Sequence, residues 1–260
     1  WPEKTGVSYS YFGARYYDPN ISIWLSVDPL SDKYPGHSPY TYTLNNPIRF
    51  IDPDGRVVTD YGVTSEGEVK QIGPTDDKPD RLYKLNDKGE RVGDEIVTLT
   101  DKSILSSLSK ERKSVQRQDA EGTLTHKGSL RTASSNNREE MASLFLSLAK
   151  NTEVEWSMFF EKEGGTSIGT YQWDDMSPGL SDHGLKSSSV SAMIHSHPRE
   201  KGLDNERSSL YGDRGVSRNA GYKYFTYMPH SGNVYRFLPS KILQTPSVNS
   251  TSKMLQLINR

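Results

Sequence analysis

Two histidines one residue apart, His195 and His197, lie in the string Met193-Ile194-His195-Ser196-His197-Pro198, with Asp213 downstream and Glu155 upstream in a separate apolar run. In an extended strand, residues i and i+2 point to the same face, so both imidazoles can grip one divalent cation. Asp213 can supply a third ligand and leave the fourth tetrahedral position for water, the layout of a catalytic zinc rather than a structural one. Amide hydrolysis at such a zinc also needs a base to take the water's proton and a donor for the developing oxyanion. Glu155 suits the base, and later the acid to the leaving amine; Ser209 or Ser208 suits the oxyanion donor. A Glu near a metal-bound water and partly shielded by Trp156 has its protonated form favoured over that of a free Glu, as a proton shuttle requires. Glu153 competes for the role of base, but Glu155 immediately precedes Trp156. Asp204 competes as third ligand, yet follows His197 too closely for a helical turn to carry it back under the metal. His183 and His230 sit in turn-rich loops, where a surface role is expected.

Composition narrows the chemistry. The 260 residues include no cysteine, which excludes disulfides and thiolate–metal frameworks and leaves any metal to His and carboxylate. A formal net charge of −1, with Lys and Arg scattered among acids, gives no electrostatic footprint for nucleic acid. No apolar run is long enough to span a bilayer. The sequence opens on Trp1-Pro2-Glu3, without Met or a basic-then-apolar leader, and reads as the C-terminal part of something longer.

The elements that must position these residues begin at Asn137. Met141, Leu144, Phe145, Leu148 and Ala149 fall on one helical face, a core stripe, with Asn137 as N-cap and Glu140 as its reciprocal capping partner. The helix ends near Lys150-Asn151, and Val154, Trp156, Met158 and Phe160 then alternate as in a half-buried strand, with Glu155 opposite Trp156. A second strand is expected near Ser167 to Gln172, a third at Val190, Ala192 and Ile194, then a helix, then a hairpin of Tyr222 to Met228 with Asn233 to Leu238. The order defines an α+β fold. Upstream, residues 56 to 100 read as short extended pieces with hairpin tips at Ser65-Glu66-Gly67 and Asn86-Asp87-Lys88-Gly89. Residues 101 to 135 read as a linker with one short helix through Ile104, Leu105 and Leu108.

From Tyr9 to about Gly55 the chain is dense in Tyr, Asp-Pro and Asn-Pro: Tyr11-Phe12-Gly13-Ala14-Arg15-Tyr16-Tyr17-Asp18-Pro19, Trp24-Leu25-Ser26-Val27-Asp28-Pro29, Asn45-Asn46-Pro47 and Asp52-Pro53-Asp54-Gly55. These residues closely resemble the terminal segment of the core in Rhs and YD-repeat proteins, whose β-strand repeats form a shell and whose variable C-terminus is often a toxin. The resemblance implies that Asp28 and Asp52 are the paired aspartates associated with self-cleavage. Two carboxylates sharing a proton would differ in pKa, one acting as base and the other as acid.

From about Asn137 to Leu238, the Asn151-Thr152-Glu153-Val154-Glu155-Trp156 string followed by Ile194-His195-Ser196-His197-Pro198 resembles the JAMM (MPN-type) metallopeptidases, and more closely the JAB-like toxin domains at the ends of Rhs proteins. The His197-to-Asp213 interval is about five residues longer than the usual pattern. The resemblance implies a cytidine-deaminase-like mixed sheet with flanking helices after a β-rich Rhs-core tail. It also implies zinc on His195, His197 and Asp213, with cleavage of peptide or isopeptide bonds of ubiquitin-like proteins. Expected segments are 1–57 (Rhs-core end), 58–135 (β-rich spacer and linker), 136–245 (JAB-like metallopeptidase) and 246–260 (tail). The expected setting is a secreted or injected effector, tied to the Rhs shell of its parent chain and paired with a cognate immunity protein. A metal-dependent nuclease toxin and a non-catalytic binding module of the same fold are the alternatives.

Overall fold

The computed structural model describes residues 9–11, 15–28, 31, 36, 38–43, 60–73, 78–118, 122–173, 175–198, 210, 213, 217, 220–238, 240–245 and 247–259. The chain divides into two units, one of residues 1–60 with 71–78 and the other of 61–70 with 79–260.

In the first unit, β1 (Ser10–Tyr11), β2 (Tyr16–Asp18) and β3 (Ile23–Trp24) form a three-stranded antiparallel sheet. Strands this short bury little by themselves, and aromatic packing supplies the area: Trp24 is fully buried against Tyr17 and Tyr42. The guanidinium of Arg15 lies 4.4 Å over the Trp24 ring and pairs with the Asp28 carboxylate at 2.8 Å.

Next along the chain, β4 (Asp60–Val63), β5 (Val69–Gln71), β6 (Asp80–Leu85) and β7 (Arg91–Leu99) make a sheet in the order β5-β4-β6-β7. The expected tips at Ser65-Glu66-Gly67 and Asn86–Gly89 are turns, and left-handed Gly67 and Gly89 close them. Then follow α1 (Lys102–Leu108), β8 (Lys113–Gln118) and β9 (Leu124–Ser135). The linker expected over 101–135 is therefore corrected. β8 is an edge strand with a polar, exposed surface, so its pairing leaves little apolar periodicity in the sequence.

The central layer is an eight-stranded sheet. It adds to β8 and β9 the strands β10 (Ser157–Glu161), β11 (Thr166–Thr170), β12 (Val190–Ser196), β13 (Lys223–Met228), β14 (Asn233–Phe237) and β15 (Ile242–Thr245), in the order β15-β14-β13-β12-β10-β11-β9-β8. Strands on both sides of residues 135/136 share this sheet, so it runs through the boundary expected there. On one face, α2 (Arg138–Asn151), which precedes β10, and α3 (Thr251–Asn259) close the chain's main core. Met141, Leu144, Phe145 and Leu148 meet Met158, Phe160, Ile194 and Phe225 there. The other face carries a second cluster around Phe159, Met193, Leu210, Tyr224 and Phe237. β10 is thus buried on both faces rather than half-buried, and its Met158-Phe159-Phe160 run is apolar without alternation.

Asn137 caps α2 by accepting the Glu140 N–H at 3.2 Å. The reciprocal half of the expected capping box is absent among the described residues. The Glu140 carboxylate instead accepts the N–H groups of Thr100 and Asp101 at 2.9 and 3.1 Å, tying α2 to the start of α1.

Candidate metal centre

Every pair of neighbours in the eight-stranded sheet is antiparallel except β12 and β13. A parallel pair needs a crossover to carry the chain back to the start of the next strand. That crossover holds Asp213, which has helical backbone, as do Leu210 and Ser217. His195 is in register with Ser157 on β10 and with Thr226 on β13, so the end of β12 lies in the middle of the sheet. The ladder continues one step past β10: the Ser196 N–H donates to the Trp156 carbonyl at 3.0 Å, and the Trp156 N–H donates to Ser196 Oγ at 3.1 Å. Glu155 donates its N–H to the Trp173 carbonyl at 2.7 Å, and the His197 N–H donates to the Tyr227 carbonyl at 3.0 Å. The backbones of Glu155 and the two histidines are therefore fixed by the sheet and its immediate extension.

The side chains converge. His195 Nε2 and His197 Nε2 are 2.9 Å apart; Asp213 places Oδ1 3.2 Å from the first and Oδ2 3.3 Å from the second; Glu155 Oε1 is 3.5 Å from His197 Nε2. All but Asp213 are at least nine-tenths buried, and Asp213 is 13% exposed. Ligand atoms on a common tetrahedral zinc, each about 2.0–2.1 Å from it, lie about 3.3 Å from one another. The observed separations match that edge length. Hydrogen bonding alone does not account for them, because an imidazole nitrogen offers one in-plane N–H or one lone pair. His197 Nε2 nonetheless has three polar atoms within 3.5 Å of it, His195 Nε2, Asp213 Oδ2 and Glu155 Oε1. A cation taking one lone pair from each group satisfies the cluster at once, and Glu155, His195 and His197 form a group able to hold one.

Burial would raise the Asp213 carboxyl, but the charge of His195 and hydrogen bonds from both imidazoles outweigh it and hold Asp213 well below the usual carboxylate range. Burial, reinforced by the charges of Asp213 and Glu155, pushes the Tyr224 phenol up.

Two further groups act on the cluster without having been singled out in the sequence. Thr226 Oγ1 donates to Asp213 Oδ2 at 2.6 Å, and the Tyr224 ring meets the His195 ring edge-on at 5.4 Å. Ser208, Ser209, Asp204 and Asp52 lie outside the described residues. Asp28 is buried and paired with Arg15. His183 is no surface residue: it is 9% exposed and lies between Ser167 Oγ at 2.6 Å and Ser157 Oγ at 3.2 Å, against Phe159. Its loop folds back onto the sheet, which composition alone could not reveal. His230 is exposed in the turn between β13 and β14.

Residues 133–221, which take in α2, β10 to β12 and the crossover with Asp213, match the family model of JAB-like toxin 1; the chain carries a JAB-like toxin domain. Among curated proteins, it is 39% identical over 59 residues to Toxin subunit YenC2 of Yersinia entomophaga, a stretch that is 23% of this chain and 6% of that protein. It is 46% identical over 55 residues to Salivary gland surface protein 1 of Aedes aegypti, covering 21% of this chain and 2% of that one. It is 40% identical over 65 residues to the tRNA(Glu)-specific nuclease WapA of Bacillus subtilis subsp. natto (strain BEST195), covering 22% and 2%. The chain thus spans 6% or less of the length of these relatives. No solved structure matches it. Among the described residues no helix is long and apolar enough to cross a membrane.

Proposed function

We propose that the JAB-like domain is a zinc-dependent peptidase or isopeptidase, the effector end of an Rhs-type polymorphic toxin. The observation that carries this reading is the convergence of His195, His197, Asp213 and Glu155 at tetrahedral edge spacing within a buried end of the sheet. His195, His197 and Asp213 would hold the ion, which when bound would polarise a scissile carbonyl and acidify the attacking water. Glu155, whose backbone is anchored to Trp173, takes the proton from that water and returns it to the leaving amine nitrogen. Ser209 is the proposed donor to the developing oxyanion. The substrate class is a protein, ubiquitin-like or otherwise amide-linked, and a cognate immunity protein covering the cleft would restrain the enzyme in the producing cell. In the Rhs segment, Asp28 and Asp52 are the proposed pair for release of the effector, which would then be secreted or injected.

The test is zinc content and hydrolysis of a ubiquitin-like conjugate panel by the wild type and Glu155→Gln. Both chains should hold about one zinc, the count a single mononuclear site allows, and the variant should lose hydrolysis by about 10²–10⁴-fold. A wild type that binds no zinc, or a variant as fast as an active wild type, would end this reading.

The identity to a nuclease named for tRNA(Glu) favours a second reading, a metal-dependent nuclease toxin. The net charge of −1 weighs against a polyanionic substrate. Incubation with plasmid and tRNA, with and without chelator, separates the two: chelator-sensitive cutting would favour the nuclease.

A further inference from the structure

The upstream four-stranded sheet closes two of its turns with left-handed glycines, and the two tips differ in what surrounds them. At Gly89, exposed, a side chain would meet nothing within 4 Å. At Gly67, buried although it closes a hairpin, a Cβ would lie 2.6 Å from Val154 Cγ2 and 3.4 Å from a ring carbon of Trp156. Those two residues flank Glu155 in the chain. We infer that the tip of the β4–β5 hairpin, Ser65-Glu66-Gly67, is a positioning element of the candidate active site: it holds the segment that carries Glu155, and turnover depends on it. This rests on the reading of Glu155 as the base and adds to it residues outside the stretch 133–221 that matches the JAB-like family.

Each residue of the tip touches a different part of that segment or of its support. The Ser65 carbonyl accepts the Glu153 N–H at 2.7 Å, the Glu66 carbonyl accepts Gln172 Nε2 at 3.3 Å, and Gly67 leaves the room that Val154 fills. Gln172 precedes Trp173, whose carbonyl accepts the Glu155 N–H at 2.7 Å. The backbone of Gln172 is itself left-handed, with φ 65°, a conformation that persists for a non-glycine residue only where its surroundings over-determine it. Regular pairing of β10 begins at Ser157, so Glu155 precedes the ladder, and the hairpin supplies bonds on both sides of it. Thr64 stiffens the tip: its carbonyl accepts the Gly67 N–H at 3.0 Å and its Oγ1 the Glu68 N–H at 3.1 Å. The hairpin residues 61–70 belong to the same unit as the eight-stranded sheet. Carbon atoms in contact rest about 3.5–4.0 Å apart, so a methyl group at residue 67 would drive the tip and Val154 apart by about 1 Å, and a displacement of that size at a reacting group costs about 10²-fold in rate.

The experiment uses the full chain and three readings: amide hydrogen exchange at Glu153 and Glu155, zinc affinity, and kcat on the ubiquitin-like conjugate panel. Gly67→Ala should speed exchange at both amides and lower kcat by about 10²-fold, while zinc affinity stays within a factor of about three. Gly89→Ala, with the same left-handed backbone and no neighbour to displace, should match the wild type in all three. Adding Val154→Ala to Gly67→Ala removes the methyl group in the way and should restore slow exchange and most of kcat, which relief of backbone strain at residue 67 could not explain. A folded Gly67→Ala chain with wild-type exchange or wild-type kcat would overturn the inference, as would a double variant that recovers neither or a zinc affinity that falls in step with kcat. If Gly67→Ala does not fold, Gln172→Asn decides: asparagine tolerates the left-handed backbone but falls short of the Glu66 carbonyl, and wild-type exchange at Glu155 with wild-type kcat would again overturn the inference. A wild type without zinc or turnover ends the peptidase reading instead, and exchange in these variants then decides alone whether the tip holds the segment.

Discussion

Two buried histidine environments lie on the same face of the sheet, and they differ in how their ring nitrogens are used. Around His183 each nitrogen faces one hydroxyl, Ser167 on one side and Ser157 on the other, and Ser157 Oγ in turn donates to the Pro178 carbonyl. One donor meets one acceptor, and burial with no carboxylate bonded to the ring lowers its pKa from 6.5 to about 4, although Asp182 pulls it up and Arg112 pushes it further down. His195 belongs to a strand paired directly with that of Ser157, yet its Nε2 meets a second imidazole and a carboxylate together while its Nδ1 has no described partner. Burial is common to both. What distinguishes a place for a metal is the excess of lone pairs aimed at one point, and a satisfied histidine is a packing element however deep it lies.

The largest expected effect tests that distinction. His195→Ala or His197→Ala should lower zinc affinity by more than about 100-fold, beyond the loss typical of outer partners, and abolish hydrolysis. His183→Leu should keep zinc within a factor of about three while unfolding more easily, since it touches none of the convergent atoms. Calorimetric zinc titration of the three chains checks this, and loss of zinc from His183→Leu would erase the contrast.

How much of this could be read from the residues follows the same division. The His-x-His spacing makes two ligand candidates visible because the strand's period of two is set by the backbone; β12 spans Val190–Ser196, and His197, one residue past its end, brings its Nε2 to 2.9 Å from that of His195. The stripe of α2 and the turns at Gly67 and Gly89 were visible for similar local reasons. Thr226 was not, because in Lys223-Tyr224-Phe225-Thr226-Tyr227-Met228 a threonine is an ordinary strand residue and only the crossover gives its hydroxyl an acid. The burial of His183 is not legible in its turn-rich loop, because its partners lie 16 and 26 positions away in sequence. β15 and α3 were missed too: the amphipathic face of α3 has meaning only against α2, on which Met254 and Ile258 help to close the core.

The second effect is on stability and its pH dependence. A histidine whose folded pKa is about 4 against 6.5 in the unfolded chain is neutral in the fold while the unfolded chain takes up a proton. Its contribution is therefore complete above pH 6.5 and lost as pH falls toward about 4, at up to about 1.4 kcal/mol per pH unit in that window. At pH 7, His183→Leu should cost about 2 kcal/mol through the two serine hydroxyls it leaves. Between pH 6.5 and 4 the gap to the wild type should narrow, because the variant no longer has the proton to exclude. Denaturant unfolding at pH 7 and pH 5 reads both quantities, and a gap that widened toward pH 5 would contradict the neutral buried ring.

The smallest effect concerns the residue between the two ligands. Ser196 shares the ladder of β12 but its hydroxyl faces back to the Trp156 N–H, where it continues the pairing of β10 by one step and sets the start of the strand that follows Glu155. Replacing it by alanine removes a single acceptor from a buried amide, worth about 1 kcal/mol of stability. Zinc affinity should hold, because His195 keeps its place in the ladder of β10, β12 and β13, and the His197 N–H keeps its bond to the Tyr227 carbonyl. Hydrolysis should fall by a larger factor than stability alone would produce, because a small shift of the Glu155 carboxylate misaligns the proton transfer. A Ser196→Ala chain with wild-type zinc affinity and reduced turnover would show that the hydroxyl between the two histidines acts through the Trp156 backbone on proton transfer at Glu155 and not on the metal ligands.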